Sequence, residues 1–76
     1  MPRYYFNVCC DSFEATDVVG QSCRDEVAAL AHAFTEAGDI VRKRLVLNQL
    51  PENGWIEVED EQHREVFRLP LRAAAY

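Results

Sequence analysis

The 76-residue chain has few of the residues that break, bend or cross-link a polypeptide. It contains three glycines, three prolines and three cysteines, and it shows no repeat, linker or low-complexity tract. The cysteines are Cys9, Cys10 and Cys23, and two of them are adjacent. An odd number in this arrangement does not form the disulfide framework of a small secreted protein. We therefore expect reduced thiols.

Long hydrophobic runs are also absent. The chain has no stretch of about 18 apolar residues that would span a bilayer. Residues 1–6, Met-Pro-Arg-Tyr-Tyr-Phe, follow a strand pattern and lack the apolar segment and small-residue cleavage site of a signal peptide. These absences predict a cytoplasmic protein that does not contact membranes.

Positive charge is scarce, since eight Lys and Arg oppose thirteen Asp and Glu for a net charge of −5. Affinity for DNA or RNA comes mainly from neutralising several phosphates at once, so direct nucleic-acid binding is disfavoured. The one basic cluster, residues 42–44, lies near a predicted helix end. There it is interpreted as a favourable partner of the negative end of the helix dipole.

The composition is that of a small globular protein, with 49% hydrophobic and 28% charged residues. It predicts a single domain over residues 1–76. A domain of this size buries only about 60% of the surface that its unfolded chain exposes. Small domains therefore often gain stability from a disulfide, a metal or a second subunit. Self-association is the most available of these.

The clearest pattern lies in the last third of the chain. Residues 54–59 and 64–71 alternate between apolar and polar side chains on either side of a polar turn, which is typical of an antiparallel β-hairpin. Residues 3–9 alternate in the same way and predict a first strand. Residues 13–16 predict a short second strand after a turn at residues 10–12.

Between these strands the sequence predicts one amphipathic helix. Ser22 and Asp25 are both candidate N-caps, and the helix is expected to begin between them. Its apolar stripe recurs at spacings of three and four residues: Val27, Leu30, Ala31, Phe34, Ala37, Val41 and Leu45. Gly38 in the helix interior is interpreted as room for a strand side chain. Residues 47–50 end the pattern, and residues 51–54 form the turn into the hairpin.

The predicted order is β-β-α-β-β, an α+β fold in which one long amphipathic helix packs on one face of a four-stranded antiparallel sheet. The inner sheet face is predicted to carry Tyr4, Phe6, Val8, Ile56, Val58, Phe67, Leu69 and Leu71, meeting Val27, Leu30, Phe34 and Val41 of the helix. The outer face is predicted to carry Arg3, Tyr5, Asn7, Trp55, Glu57, Glu59, Val66 and Arg68.

The outer sheet face is the candidate interaction surface, because it combines the residue types that are enriched at the centres of protein interfaces. Its candidate residues are Arg3, Tyr5, Trp55, Val66 and Arg68. Two alternatives are open. The face is simply solvated, with cross-strand pairs such as Glu57 and Arg68 covering Trp55, or Trp55 folds over the sheet edge into the core.

The chain resembles a family of small bacterial proteins of unknown function. The resemblance is carried by the opening residues 1–6, by the Asp-x-x-Gly turn at residues 17–20, by the Asp-x-x-Ala-Ala start of a helix at residues 25–29, and by the hairpin at residues 57–71. It spans nearly the whole chain and implies this fold and a bacterial source, without catalytic residues. The sequence departs from the family pattern at Cys9-Cys10 and at His63-Arg64, which replaces the usual hairpin glycine.

No residues in the sequence form a recognisable reaction site. Cys9, Cys10, Cys23, His32 and His63 lack the spacing that presents two ligands to a metal. The isolated glycines form no phosphate-binding loop, and the acidic residues 57–61 are spread over a strand and an open turn. We therefore expect no enzyme activity, no metal and no cofactor. The sequence leaves open whether a small-molecule ligand binds.

Three functional hypotheses follow. The first is a noncatalytic protein-interaction module, self-associating as a homodimer or binding another protein through its outer sheet face or an exposed edge strand. The second is an antitoxin-like regulator that sequesters a basic partner protein, since negative charge speeds encounter with a basic target. The third is a redox-responsive or metal-binding protein that acts through its cysteines.

Overall fold

A computed structural model describes residues 1–11, 13–46 and 53–74 and shows an α+β fold, as predicted. Its elements in chain order are β1 (Arg3–Cys10), β2 (Glu14–Ala15), β3 (Gln21–Ser22), α1 (Glu26–Val46), β4 (Gly54–Glu59), β5 (Glu65–Pro70) and a short 3₁₀ helix (Leu71–Ala74). The side chain of Leu45, the predicted helix end at residues 47–50 and the first half of the turn predicted at residues 51–54 lie outside the described part of the chain.

The sheet is antiparallel, with the strand order β2-β1-β4-β5. The predicted hairpin is confirmed as β4 and β5. The predicted second strand is shorter than expected, and β3 was not predicted at all. Both of these two-residue strands pair with β1, β2 near its C-terminal end and β3 near its N-terminal end. The long first strand is thus paired with β4 on one side and with two short segments on the other.

Helix α1 begins directly after Asp25, whose carboxylate oxygen Oδ1 accepts a hydrogen bond of 2.8 Å from the backbone N–H of Ala28. This contact satisfies one of the free amide groups in the first helical turn, as an N-cap does. Of the two candidate caps, Asp25 is therefore the one used. Ser22 lies in β3 instead, so the helix begins after both candidates and not between them.

The core lies between α1 and the inner face of the sheet. Of the residues predicted there from the strands, Phe67 is half-buried against the core. The others are buried: Tyr4, Phe6, Val8, Ile56, Val58, Leu69 and Leu71. Their register agrees with the alternation, because Val8, Ile56 and Leu69 lie opposite one another across three strands.

The predicted helix face was wrong at three of its larger residues. Val27, Leu30 and Phe34 are 75%, 39% and 42% exposed, although Val41 is buried as expected. The helix instead packs through an alanine seam of three fully buried residues, Ala29, Ala33 and Ala37, of which the predicted stripe contained only Ala37. Large apolar side chains outweighed alanine in the sequence pattern, whereas the bulky aromatic residues of β1 leave room for only small side chains on the facing helix.

The connection between β2 and β3 is held by the side chain of Asp17. One carboxylate oxygen accepts hydrogen bonds from the backbone N–H groups of Val19 (3.1 Å) and Gly20 (2.9 Å). The other accepts from the backbone N–H of Phe6 (3.1 Å) in the middle of β1. The carboxylate therefore gives a hydrogen-bond acceptor to a backbone N–H of β1 that lies between the segments paired with β2 and β3.

Gly38 has no strand side chain near it, which contradicts its predicted role. A Cβ atom at this position would lie 3.3 Å from Nη1 of Arg42, the mobile end of a side chain that pairs with Asp39. The Arg42 guanidinium is therefore able to move aside.

We expect Gly38→Ala to stabilise the protein by about 0.5–1 kcal/mol, because alanine removes the entropic cost of glycine in a helix interior. Urea denaturation monitored by circular dichroism measures the change. A loss of stability would contradict this account and mean that the Arg42 side chain is fixed in place.

Candidate functional site

The outer face of the sheet has Trp55 near one end. Trp55 lies directly opposite Cys9 of β1 and Pro70 of β5. The helix packs on the other face, and within the described residues no helix or strand covers the outer one. Trp55 is half-buried on this face, so it does not fold over the edge into the core.

Arg68 covers the indole ring of Trp55, with its guanidinium carbon 5.0 Å from the ring centroid. The same guanidinium pairs with Glu65 at 2.7 Å and with Glu57 at 3.5 Å. Glu57 lies opposite Arg68 in the strand register, as predicted. The indole Nε1 atom is buried and has no hydrogen-bond partner among the described residues. Packing and the cation–π contact, not a hydrogen bond, therefore hold the ring.

Negative charge is concentrated around this aromatic centre. Burial raises the pKa of the Glu57 carboxyl, and repulsion from Glu65 and Glu59 adds to the rise, while Arg68 opposes it. Burial also raises the pKa of the Cys9 thiol, again with contributions from the neighbouring carboxylates of Glu57 and Glu14. Both shifts arise mainly from burial, and the neighbouring carboxylates add to them.

A cavity of about 300 Å³ opens beside Trp55. Its lining includes the two acidic residues Asp11 and Glu14 together with Cys9. A second, smaller cavity of about 210 Å³ lies on the Arg68 and Pro70 side of the ring. The first cavity thus presents an aromatic surface next to carboxylates, an environment that suits a cationic side chain.

The far end of the outer face is formed by Tyr5 and His63. Their ring centroids are 4.4 Å apart, and Nδ1 of His63 lies 3.3 Å from Oε1 of Glu59. His63 has a φ of 60°, a left-handed conformation that favours glycine. The glycine that the resemblance leads one to expect here would adopt this conformation without a steric cost. Contacts with Tyr5 and Glu59 offset the backbone cost of histidine in this chain.

The five predicted interaction residues do not form one cluster. Trp55 and Arg68 are in contact, and Tyr5 lies on the same face. Arg3 turns toward the Asp17–Gly20 connection, where its Nη1 donates to the carbonyl of Val19 at 2.9 Å. The register shift between β4 and β5 leaves Val66 half-buried and packed against the core. Val66 was therefore wrongly placed on the outer face, because a β-bulge interrupts the alternation.

A further cavity, of about 340 Å³, lies between the helix and the β2–β3 connection, and the sequence did not indicate it. His32 and Glu36 line it from the helix, and Asp17 and Gly20 line it from the connection. Burial raises the pKa of the Glu36 carboxyl, although His32 opposes the rise. The i, i+4 spacing of His32 and Glu36 beside the alanine seam was the available signal.

The thiols of Cys9 and Cys23 show no sign of activation. Cys23 is buried, and its burial raises the pKa of the thiol, as it does for Cys9. A raised pKa lowers the thiolate fraction, which is the reactive form.

Among residues 1–11, 13–46 and 53–74, no group of three or more His, Cys, Asp or Glu side chains is arranged to hold a metal ion. In the same part of the chain, no helix combines the length and apolar character needed to cross a membrane.

Comparison with known proteins identifies a family but no characterised relative. No curated protein and no solved structure matched the chain. A family model described as a domain of unknown function, DUF6894, matches residues 3–72. This match includes all five strands and the helix described above. The chain belongs to the DUF6894 family.

Proposed function

We propose that this protein is a noncatalytic interaction module whose outer sheet face binds a basic segment of a partner protein. The observation that carries the proposal is the position of Trp55 beside a cavity of about 300 Å³ that Asp11 and Glu14 also line. An aromatic ring next to carboxylates provides both cation–π and ion-pair contacts to one arginine or lysine side chain.

Trp55 is suited to be the anchor of such an interface. Tryptophan, tyrosine and arginine account for a large share of the residues that dominate binding energy, and they act best when they are partly enclosed before binding. Trp55 is already half-buried under Arg68.

The charges of the outer face favour a basic partner over a second copy at the same place. Glu57 and Glu65 share the guanidinium of Arg68, and Glu14 and Glu59 lie on the same face. Two copies that met through this face would bring their carboxylates together, which costs free energy. A cationic segment would instead be attracted by these carboxylates.

The regulator hypothesis requires the same chemistry, because an antitoxin-like protein would also bind a basic partner. The negative net charge of −5 supports it by accelerating encounter with such a target. A gene for a small basic protein beside the gene for this chain would favour the regulator role. An isolated gene would weigh against the regulator role.

The chain's single tryptophan lies in the proposed site, so its fluorescence reports binding directly. We expect a hexa-arginine peptide to change the emission of Trp55 and a hexa-glutamate peptide to leave it unchanged. Replacing Asp11 by Asn and Glu14 by Gln, the two exposed carboxylates that line the cavity, should weaken hexa-arginine binding by about tenfold, since each lost charge contact contributes on the order of 0.5–1 kcal/mol at an exposed site.

The matched control is the double variant Glu26→Gln with Asp39→Asn, which removes the same number of charges from the helix. It should change the dissociation constant by less than about twofold, because exposed charges more than a Debye length apart are largely screened. Equal weakening by the two double variants would contradict the proposal, since overall charge and not the outer face would then determine binding.

A further inference from the structure

The chain enters β4 through the pair Asn53-Gly54, beside Trp55. Asn53 is exposed and lies in a bend directly before the strand. It lines both of the cavities that lie next to the indole ring. Its side chain carries no charge, so a reaction that created a charge at residue 53 would alter both cavities at once.

Close packing explains why glycine follows Asn53. A Cβ atom at Gly54 would lie 2.8 Å from Cβ of Cys10 and 2.9 Å from Cδ1 of Leu71. The Cβ atom of Cys10 is fixed to the backbone of the neighbouring strand β1 and is unable to turn away as the end of a long side chain does. The fold therefore disfavours any residue with a side chain at position 54.

This glycine leaves the side-chain amide of Asn53 open to attack by the backbone. Because Gly54 has no Cβ atom, its backbone nitrogen approaches Cγ of Asn53 with little steric hindrance. The nitrogen attacks as an anion, whose charge is shared with the carbonyl oxygen of Asn53. That oxygen accepts a hydrogen bond of 3.2 Å from the backbone N–H of Asp11. A donor at this oxygen stabilises the anion.

We propose that Asn53 is a site of spontaneous deamidation in the folded protein. The backbone nitrogen of Gly54 gives its proton to hydroxide and bonds to Cγ of Asn53, and the side-chain nitrogen takes a proton from water and leaves as ammonia. Water then opens the resulting ring at either of its carbonyl groups. Opening at Cγ gives aspartate, and opening at the backbone carbonyl gives isoaspartate. The overall change consumes water and releases ammonia, without an oxidant or a reductant.

Either product places a new carboxylate beside Trp55. In the larger cavity this charge would join those of Asp11 and Glu14. The effect on binding rests on the proposed function, whereas the deamidation itself does not. We expect Asn53→Asp, which reproduces the aspartate product, to bind hexa-arginine about two- to fivefold more tightly than the wild type, the usual effect of one exposed charge contact.

The test is incubation of the folded wild-type protein at physiological temperature and mildly alkaline pH, followed by peptide mass spectrometry. The peptide that contains residue 53 should gain the mass difference between a hydroxyl and an amino group. A methyltransferase specific for isoaspartate should label the same peptide. Conversion should accelerate with rising pH, because the attacking nitrogen must lose its proton. Asn53→Gln should suppress both signals, since glutamine would have to close a larger ring.

Asn7 is the control within the same protein. Its Oδ1 accepts a hydrogen bond of 2.8 Å from the backbone N–H of Asp17, and the next residue is the β-branched Val8. Asn7 should therefore stay unchanged. Equal conversion at Asn7 and Asn53 would overturn the proposal, as would an Asn53 that converts in urea but not in native buffer. If hexa-arginine bound neither the wild type nor Asn53→Asp, the proposed function would fail and the mass gain would still stand.

Discussion

Gly20→Ala should destabilise the protein by about 3 kcal/mol, the largest loss we expect from a single methyl group in this chain. Gly20 has a φ of 76°, a conformation that costs a residue with a side chain about 1–2 kcal/mol. A Cβ atom would also lie 2.9 Å from the carbonyl oxygen of Tyr4 and 2.9 Å from Cγ of Arg3. The carbonyl belongs to β1 and cannot move without disturbing the sheet.

Thermal and urea denaturation would measure this loss, which corresponds to a fall in melting temperature of about 12–24 °C for a domain of this length. Gly20→Asn separates the two causes, since asparagine tolerates the left-handed conformation but still carries a Cβ atom. If the collision with β1 dominates, the alanine and asparagine variants lose similar stability. A Gly20→Ala variant as stable as the wild type would contradict the described turn.

Asp17→Ala should cost about 2 kcal/mol at neutral pH, because three backbone N–H groups lose their acceptor. Burial opposes ionisation of Asp17, but the hydrogen bonds from Gly20, Phe6 and Val19 outweigh it and lower the pKa of the carboxyl. A group whose pKa is lower in the folded state stabilises the fold above its unfolded pKa, about 3.9. The contribution is lost as the pH falls through the folded pKa.

The difference in unfolding free energy between wild type and Asp17→Ala should therefore be largest near neutral pH and shrink on acidification below about pH 4. Urea denaturation over a series of pH values tests this. Asp11→Ala is the control, since Asp11 is an exposed carboxylate that directly follows the C-terminal end of β1. A difference that persisted unchanged in acid would show that the charge on Asp17 contributes nothing to the turn.

The fold was predictable because strand alternation is a strong local signal. Phe6, Val58 and Phe67 lie opposite one another, as do Val8, Ile56 and Leu69. Within each strand the two residues are two positions apart, so both sets lie on the same face of the sheet. The helix face was not predictable in this way. Its true seam is alanine, which weighs little in any pattern of hydrophobicity, and the larger residues beside it gave the stronger but misleading periodicity.

Part of the candidate site was also predictable, namely the cross-strand pair of Glu57 and Arg68 beside Trp55. The displacement of Val66 was not, because a β-bulge changes the face of a side chain without a clear sequence signal. The acidic cavity beside Trp55 joins residues from β2, β4 and the turn after β1. Such a site depends on which strands become neighbours, and local pattern does not contain that information.

Because its buried face is an alanine seam, the helix contributes little side-chain volume to the core. Ala29, Ala33 and Ala37 contribute backbone surface and very little side-chain volume to the core, which is filled mainly from the sheet. Most other helix positions can therefore exchange their side chains without repacking the interior. The two layers of the fold are then free to diverge at different rates, with the sheet preserving the architecture and the outward side of the helix available for new recognition properties.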